Sequence, residues 1–322
     1  MVDDKEIPSN NPAVIGRLGN NQDFKVEAKY GLLLMGGGRD VDSAIQWMID
    51  HANGGDILIL RASGSDAYNE YLFDLANGSI NSVKTLLIDS RELANNDEVI
   101  RDIKLAEAIF IAGGNQADYV NFWSNTKLSN ELSELILNKK IVLGGTSAGS
   151  AILGEFIFDA IKGTVYSDEA LNDPYIEYVS LQKNNLVDID ILQSMITDTH
   201  YNNPDRLGRH IAFMARLRKD FNTNVKGIGI QEETAVIIED DGIAKVLGKG
   251  GAYFINAINP TLPEIVNPQQ ALTWGKDTKA LKAVIIQDIE NEYINLLNWD
   301  DYNSNFIQYI SVNSGALKIE NK

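Results

Sequence analysis

Short apolar runs alternate with stretches in which apolar residues recur every three or four positions, and this alternation fills the first half of the chain. Gly31-Leu32-Leu33-Leu34-Met35 is a continuous apolar run closed by Gly36-Gly37-Gly38, the pattern of a buried strand ending in a backbone-permissive loop. Val41, Ala44, Ile45, Met48 and Ile49 then keep helical spacing until Asn53-Gly54-Gly55 stops them. Ile57-Leu58-Ile59-Leu60 predicts a second strand, running into Ser63-Gly64-Ser65. Thr85 to Ile88 and Ala108 to Ile111 read as further strands, the latter entering Gly113-Gly114. Leu128, Leu132, Leu135 and Ile136 mark a helix ahead of the Ile141-Val142-Leu143 strand. Apolar strands alternating with amphipathic helices predict an α/β layered fold, a mostly parallel sheet flanked by helices on both faces.

Beyond this half the pattern is mixed. Ile189 to Ile196 is apolar-periodic, and Leu207, Ile211, Met214 and Leu217 form a helix stripe. Ala235 to Glu239 and Ile243 to Leu247 flank Asp241-Gly242 as a hairpin. Strands are expected near Tyr253 and over Val284-Ile285-Ile286. The final segment, with scattered Asn, Asp and aromatic residues, fits either extra strands or a docked appendage.

Ligands bind open α/β sheets beyond the carboxyl ends of their strands. Glycine clusters stand at such ends after Met35, after Ile111 and around Ser147. The last of these, Gly145-Thr146-Ser147-Ala148-Gly149, is a G-x-S-x-G pentapeptide between the Ile141 strand and the helix-like stretch Ala151-Ile152-Leu153. A serine on a tight strand-to-helix turn projects its hydroxyl above the sheet, and the glycines make room for the cramped backbone. The N–H of Ala148 then points toward an oxygen that becomes negative during attack on a carbonyl.

A serine hydroxyl needs a base, and the base needs an orienting acid. Only three histidines are present. His51 ends a helix pattern, where a histidine commonly meets terminal carbonyls, and His210 falls within a helix stripe as a surface or packing residue. His200, in Asp198-Thr199-His200-Tyr201-Asn202-Asn203-Pro204, lies on a loop at a sheet edge and is the candidate base. Glu232 and Glu233, after Gly227-Ile228-Gly229-Ile230-Gln231, and Asp168 and Glu169 are the candidate acids. Gly113-Gly114-Asn115-Gln116 offers a second oxyanion donor at Gly114. Gln116 can hydrogen-bond substrate, and Asn115 can cap the following helix.

Composition narrows the chemistry. With no cysteine, disulfides, zinc-thiolate sites and cysteine nucleophiles are excluded. A formal charge of -17 repels phosphate backbones, so no nucleic-acid partner is expected. No run of 18 apolar residues predicts a membrane span, and the polar opening, Met1 to Asn21, carries no apolar signal core. An exported form would already have lost its targeting segment, so the compartment is left open. No metal or cofactor is expected.

Together these segments resemble the cyanophycinase and dipeptidase E group of serine peptidases. Gly144 to Ser150 is similar to that group's nucleophile segment, and Ile111 to Gln116 to its Gly-Gly-x-Gln segment. Asp198 to Tyr201 with Arg206-Leu207-Gly208-Arg209 is similar to its histidine motif, and Gly227 to Ala235 to its Gly-Ile-Gly-Ile-Asp-Glu-x-Thr-Ala segment. The resemblance covers roughly Tyr30 to Phe254 and implies a fold like that of the class I glutamine amidotransferases. It implies Ser147 as nucleophile, His200 as base and Glu232 as acid, with oxyanion or substrate contacts from Gly114, Asn115, Gln116, Ala148, Asp198, Arg206 and Arg209. In dipeptidase E the acid follows soon after the serine, which keeps Asp168 and Glu169 as alternatives.

Two positions depart from the pattern. Gln231 stands where the group has Asp, and Pro204 where it has an arginine of the substrate cleft. The expected organisation is a polar leader over 1–29, a catalytic domain over 30–256 and a C-terminal extension over 257–322 packed on that domain. The expected activity is hydrolysis of aspartyl peptides, including β-linked Asp-Arg material of the cyanophycin kind. The rivals are an α-aspartyl dipeptidase and a ligand-binding member without catalysis. Oligomeric state, a homodimer included, is not read from the sequence.

Overall fold

The computed structural model describes residues 11–258 and 262–322, so residues 1–10 of the expected leader lie outside the described residues. The described strands form two sheets. In spatial order the larger runs Val14–Gly19, Ser82–Leu87, Asp56–Arg61, Ala108–Ile111, Val142–Thr146, Gly31–Met35, Thr234–Ile238, Ile243–Gly248, Tyr293–Asn295, Asn298–Asn303. The smaller runs Ala316–Asn321, Phe306–Asn313, Leu281–Gln287, Gly251–Ala257, Lys226–Ile230, Met195–Asp198, Phe156–Phe158, Leu181–Lys183.

The α/β layering follows from the sequence pattern, and parallel pairing is concentrated where the apolar runs are continuous. The strands from Ser82–Leu87 across to Gly31–Met35 are mutually parallel. Buried on both faces, they have no polar alternation to keep. Beyond that centre the larger sheet is antiparallel, and in the smaller sheet only the pairings of Met195–Asp198 with its two neighbours are parallel. Both sheets are therefore mixed.

Strand periodicity assigns the layers. Leu33, Met35, Ile57, Ile59, Phe110 and Val142 face one way and pack on the Asp42–His51 and Tyr68–Ala76 helices. Leu32, Leu34, Leu58, Leu60, Ile109 and Leu143 face the other way. They share a core with the Asp97–Leu105, Gln116–Trp123 and Lys127–Leu137 helices and with Ile228, Ile230, Phe254, Val284 and Ile286 of the smaller sheet. The outer face of that sheet is covered by the Ser167–Asn172 and Leu207–Phe221 helices. No helix among the described residues is long and apolar enough to cross a membrane.

One expectation changes, and one open reading is decided. The opening segment, read as an irregular leader, contains an edge strand: Val14–Gly19 runs antiparallel to Ser82–Leu87. Its half-exposed residues give little apolar signal, because one side of an edge strand stays in water. The final segment is strands rather than an appendage. Leu281–Gln287 pairs with Gly251–Ala257 along its whole length, and Tyr293–Asn295 extends the larger sheet.

This placement makes the tail part of the shared core. Ile286 is fully buried between the sheets, so Ile286→Ala is expected to lower the free energy of unfolding by about 2–4 kcal/mol. Urea denaturation checks it; a loss within about 0.5 kcal/mol, the surface norm, would mark the tail as dispensable.

Candidate active site

Parallel register brings the site together. Met35 pairs with Thr146 and Asp198 with Gly229, so the residues that follow all four leave their sheets at carboxyl ends. Ser147 sits on the turn between Val142–Thr146 and a helix of only four residues, Ala148–Ala151, shorter than the apolar pattern suggested. Its backbone is in the left-handed region, φ 52, a conformation that costs a non-glycine residue about 1–3 kcal/mol. The flanking glycines are sterically required. A Cβ on Gly145 would come 2.5 Å from the Gly149 carbonyl oxygen, and one on Gly149 would come 2.2 Å from that of Ile111.

His200 follows the Met195–Asp198 strand, also with positive φ. Its Nε2 lies 2.7 Å from Ser147 Oγ, and its Nδ1 lies 2.6 Å from Glu232 Oε1. A carboxylate only accepts, so Nδ1 carries the proton and donates, which leaves Nε2 to accept from the serine hydroxyl. Asn203 Nδ2 donates to the other oxygen of Glu232 at 3.1 Å, and Asn202 Oδ1 accepts the Glu232 backbone N–H at 2.9 Å. The hydrogen bond from His200, reinforced by that from Asn203, holds the Glu232 carboxyl below its ordinary range.

Three features of this arrangement were not read from the sequence. Asn202 and Asn203 hold Glu232, and their position directly after His200 was the available signal. Gly37, with φ 90, lies against the imidazole so closely that a Cβ would be 2.5 Å from Nε2, and a Cβ on Gly38 would be 3.2 Å from that of Glu232. The triple glycine is thus the bed on which His200 and Glu232 rest.

The alternative acids are elsewhere. Asp168 is exposed, and Glu169 accepts the Tyr166 N–H as a helix cap. Glu233 pairs with Lys249. His51 is held at its helix end by the Trp47 carbonyl and Glu239. His210 is fully buried: Nε2 donates to the Ile196 carbonyl at 3.2 Å and Nδ1 accepts from Tyr201 Oη at 3.0 Å. Burial pulls its imidazole down to about 4, so it stays neutral. Gly227 and Gly229 make this possible, because side chains there would strike the rings of His210 and Tyr201.

The residues expected to contact substrate divide. Asp198 and Arg209 are buried and face each other, with Nε–Oδ2 2.8 Å and Nη2–Oδ1 2.6 Å, while Arg209 also lines the cavity that Arg206 borders. Burial alone would raise the Asp198 carboxyl, but the guanidinium outweighs it and holds the group below its ordinary range. Arg206 donates from Nη1 to the Thr199 carbonyl at 2.9 Å, and its buried Nε has no hydrogen-bond partner. It lines a cavity of about 80 Å³ between Thr164–Ser167 and Pro204–Arg206. Asn115 caps the Gln116–Trp123 helix, accepting from the Ala117 N–H, and Gln116 donates to the Phe158 carbonyl at 2.7 Å. Gly113 is close to the serine: a Cβ on it would stand 3.9 Å from Ser147 Oγ. Ala148 opens its helix, so its N–H belongs to the first turn, which has no intrahelical acceptor.

Asp198→Asn leaves the Arg209 charge buried without its counter-ion and is expected to cost about 3–5 kcal/mol. Because the folded-state pKa is depressed, the wild-type contribution is complete above the ordinary value of 3.8 and is lost as pH falls through the lowered one. Denaturation of the variant across pH 2 to 7 should lack that acid step, and an unchanged step would refute the assignment.

The sequence profile of peptidase family S51 matches residues 32–246. The cyanophycinase of Synechococcus elongatus is 30% identical over 177 residues, 55% of this chain and 50% of that protein. The cyanophycinase of Trichormus variabilis is 28% identical over 179 residues, 56% and 54% of the two chains. The chain spans about half the length of the curated relatives it matches. A crystal structure of a peptidase from an acI-B1 Actinobacterium shares the fold, with a TM-score of 0.52, 18% identity, and coverage of 71% of this chain and 91% of that one. With the profile match extending over most of the larger sheet and both halves of the site, the chain belongs to peptidase family S51.

Proposed function

We propose that this protein is a serine peptidase that hydrolyses small aspartyl peptides through an acyl-enzyme, with Ser147 as nucleophile, His200 as general base and Glu232 as orienting acid. The observation that carries the reading is the unbroken line of contacts from hydroxyl to imidazole to carboxylate, 2.7 and 2.6 Å. Ser147 Oγ attacks the scissile carbonyl while His200 Nε2 takes its proton. Glu232 stabilises the imidazolium, which then protonates the leaving amine. Water, deprotonated by the same imidazole, releases the acyl group and returns the proton to Ser147. The N–H groups of Gly114 and Ala148 are the proposed oxyanion donors.

The substrate class rests on Arg206. Arg206 lines the cavity beside the His200 loop, and a guanidinium recognises a carboxylate by paired hydrogen bonds. Arg209 lines the same cavity but is ion-paired with Asp198, and Pro204 brings no charge. Gln231 has a local role: its Oε1 accepts the Gly251 N–H at 2.8 Å. Aspartyl dipeptides and β-linked Asp-Arg units, the material that the sequence resemblance implies, are the leading substrates.

A panel of α- and β-linked aspartyl dipeptides, read by released amine, tests the reading together with fluorophosphonate labelling. Ser147→Ala is expected to abolish both hydrolysis and labelling. Glu232→Gln is expected to lower kcat/KM by about 10²- to 10⁴-fold. Full turnover by Ser147→Ala would end the proposal. Wild-type protein that cleaves nothing in the panel yet gains thermal stability from one member would favour a binding role.

A further inference from the structure

We propose that Tyr119 is the residue that positions the Gly114 oxyanion donor: its phenol fixes the two peptide planes ahead of Gly114 so that the N–H of Gly114, with that of Gly113 beside it, turns toward Ser147. This rests on the serine-peptidase reading of the site.

Tyr119 lies one turn into the Gln116–Trp123 helix, 1% exposed, with its ring against Trp123. Its Oη donates to the Ala112 carbonyl at 2.6 Å and lies 3.3 Å from the Gly113 carbonyl oxygen. The Ala62 N–H meets the same phenol oxygen, and burial pushes the phenol well above its ordinary range, so it remains a donor. Two successive carbonyls therefore converge on one hydroxyl.

A trans peptide points its C=O and N–H in opposite directions. Carbonyls of Ala112 and Gly113 drawn to one side turn the N–H groups of Gly113 and Gly114 to the other, and successive N–H groups on one side form an anion-binding concavity. The flanking contacts identify that side. A Cβ on Gly113 would stand 3.4 Å from the Ser147 Cβ, whereas a Cβ on Gly114 would stand 3.2 Å from Tyr119 Oη. Tyr119 and Ser147 thus face this glycine pair from opposed directions. Without the hydroxyl, nothing in the contacts made by Tyr119 orients the two planes, and an oxyanion donor that wanders stabilises the developing charge less.

The test is Tyr119→Phe, which keeps the ring on Trp123 and removes only the O–H. Turnover is measured with the best substrate of the aspartyl dipeptide panel, and affinity with the peptide aldehyde made from its acyl half, which forms a tetrahedral adduct at Ser147. Expected is a fall in kcat of about 10- to 100-fold, less than the outright loss of one oxyanion donor because the N–H groups remain but are no longer held, with KM nearly unchanged. Aldehyde affinity should fall in parallel while binding of the reaction product stays the same. A merely structural role would lower the thermal midpoint without that parallel. Tyr119→Met, which also fills the site without a donor, carries the same reading if the phenylalanine variant does not fold.

Wild-type kcat and aldehyde affinity in the folded variant would overturn the inference while leaving the triad intact. Wild-type protein that neither turns over the panel nor binds the aldehyde would instead overturn the triad reading, and this one with it.

Discussion

The two peptide units that flank Gly36 are where the site is assembled. The Met35 carbonyl accepts the Ser147 N–H at 3.1 Å and the Gly36 carbonyl accepts the His200 N–H at 2.7 Å, while the Gly36 N–H donates to the Thr234 carbonyl at 2.9 Å. One turn of chain at the end of a central strand thus holds the serine of one sheet and the histidine loop of the other, next to the segment that carries Glu232. Gly36 has no room for a side chain, since a Cβ would come 1.9 Å from the Gln231 carbonyl oxygen. The separation of hydroxyl, imidazole and carboxylate is consequently set by main-chain hydrogen bonds. These vary far less than long side chains, and reactive geometry is sensitive to displacements of an ångström.

Such an assembly carries strain, because Ser147, His200 and Glu233 all hold positive φ. Left-handed backbone persists at residues of this kind only where the surroundings over-determine it. Beneath His200 the surroundings are polar and buried. The Asp198–Arg209 pair precedes the histidine and the Tyr201–His210 pair follows it, each with both partners buried. Buried ion pairs contribute little net stability against an apolar alternative. Their effect here is directional: Arg209 and His210, on one helix, fix the residues on either side of His200. The glycines of the Lys226–Ile230 strand serve the same end, because they admit the two aromatic rings over the sheet.

Much of this was legible in the sequence, and the reasons differ by element. The central strands announce themselves as continuous apolar runs because both faces are covered. G-x-S-x-G is readable because only glycine tolerates the approach of the Gly149 and Ile111 carbonyls. The scarcity of histidine made His200 easy to single out. What resisted was anything decided by direction rather than composition. Asp198 and Arg209 look like ligand contacts in a list of residues, and only the packing of helix on strand turns them toward each other. Asn115, Gln116 and Glu169 are polar residues at helix starts, where capping and ligand binding ask for the same side chains. Val14–Gly19 escaped, and the strands after Leu281–Gln287 were left undecided, because edge strands and short hairpins are half in water and lack a strong period.

The strands of the tail bear on the site through the sheet rather than by contact. Glu232 follows Lys226–Ile230, which is paired on one side with the strand leading to His200 and on the other with Gly251–Ala257. Gly251–Ala257 is in turn backed along its full length by Leu281–Gln287, whose outer neighbour is Phe306–Asn313. The family profile ends at residue 246, before any of these supporting strands. A strand left as an edge exposes a row of unpaired backbone groups, and the neighbours beyond residue 246 cover that edge of the strand that leads to Glu232. The site is therefore built by residues inside the profile and held by residues outside it.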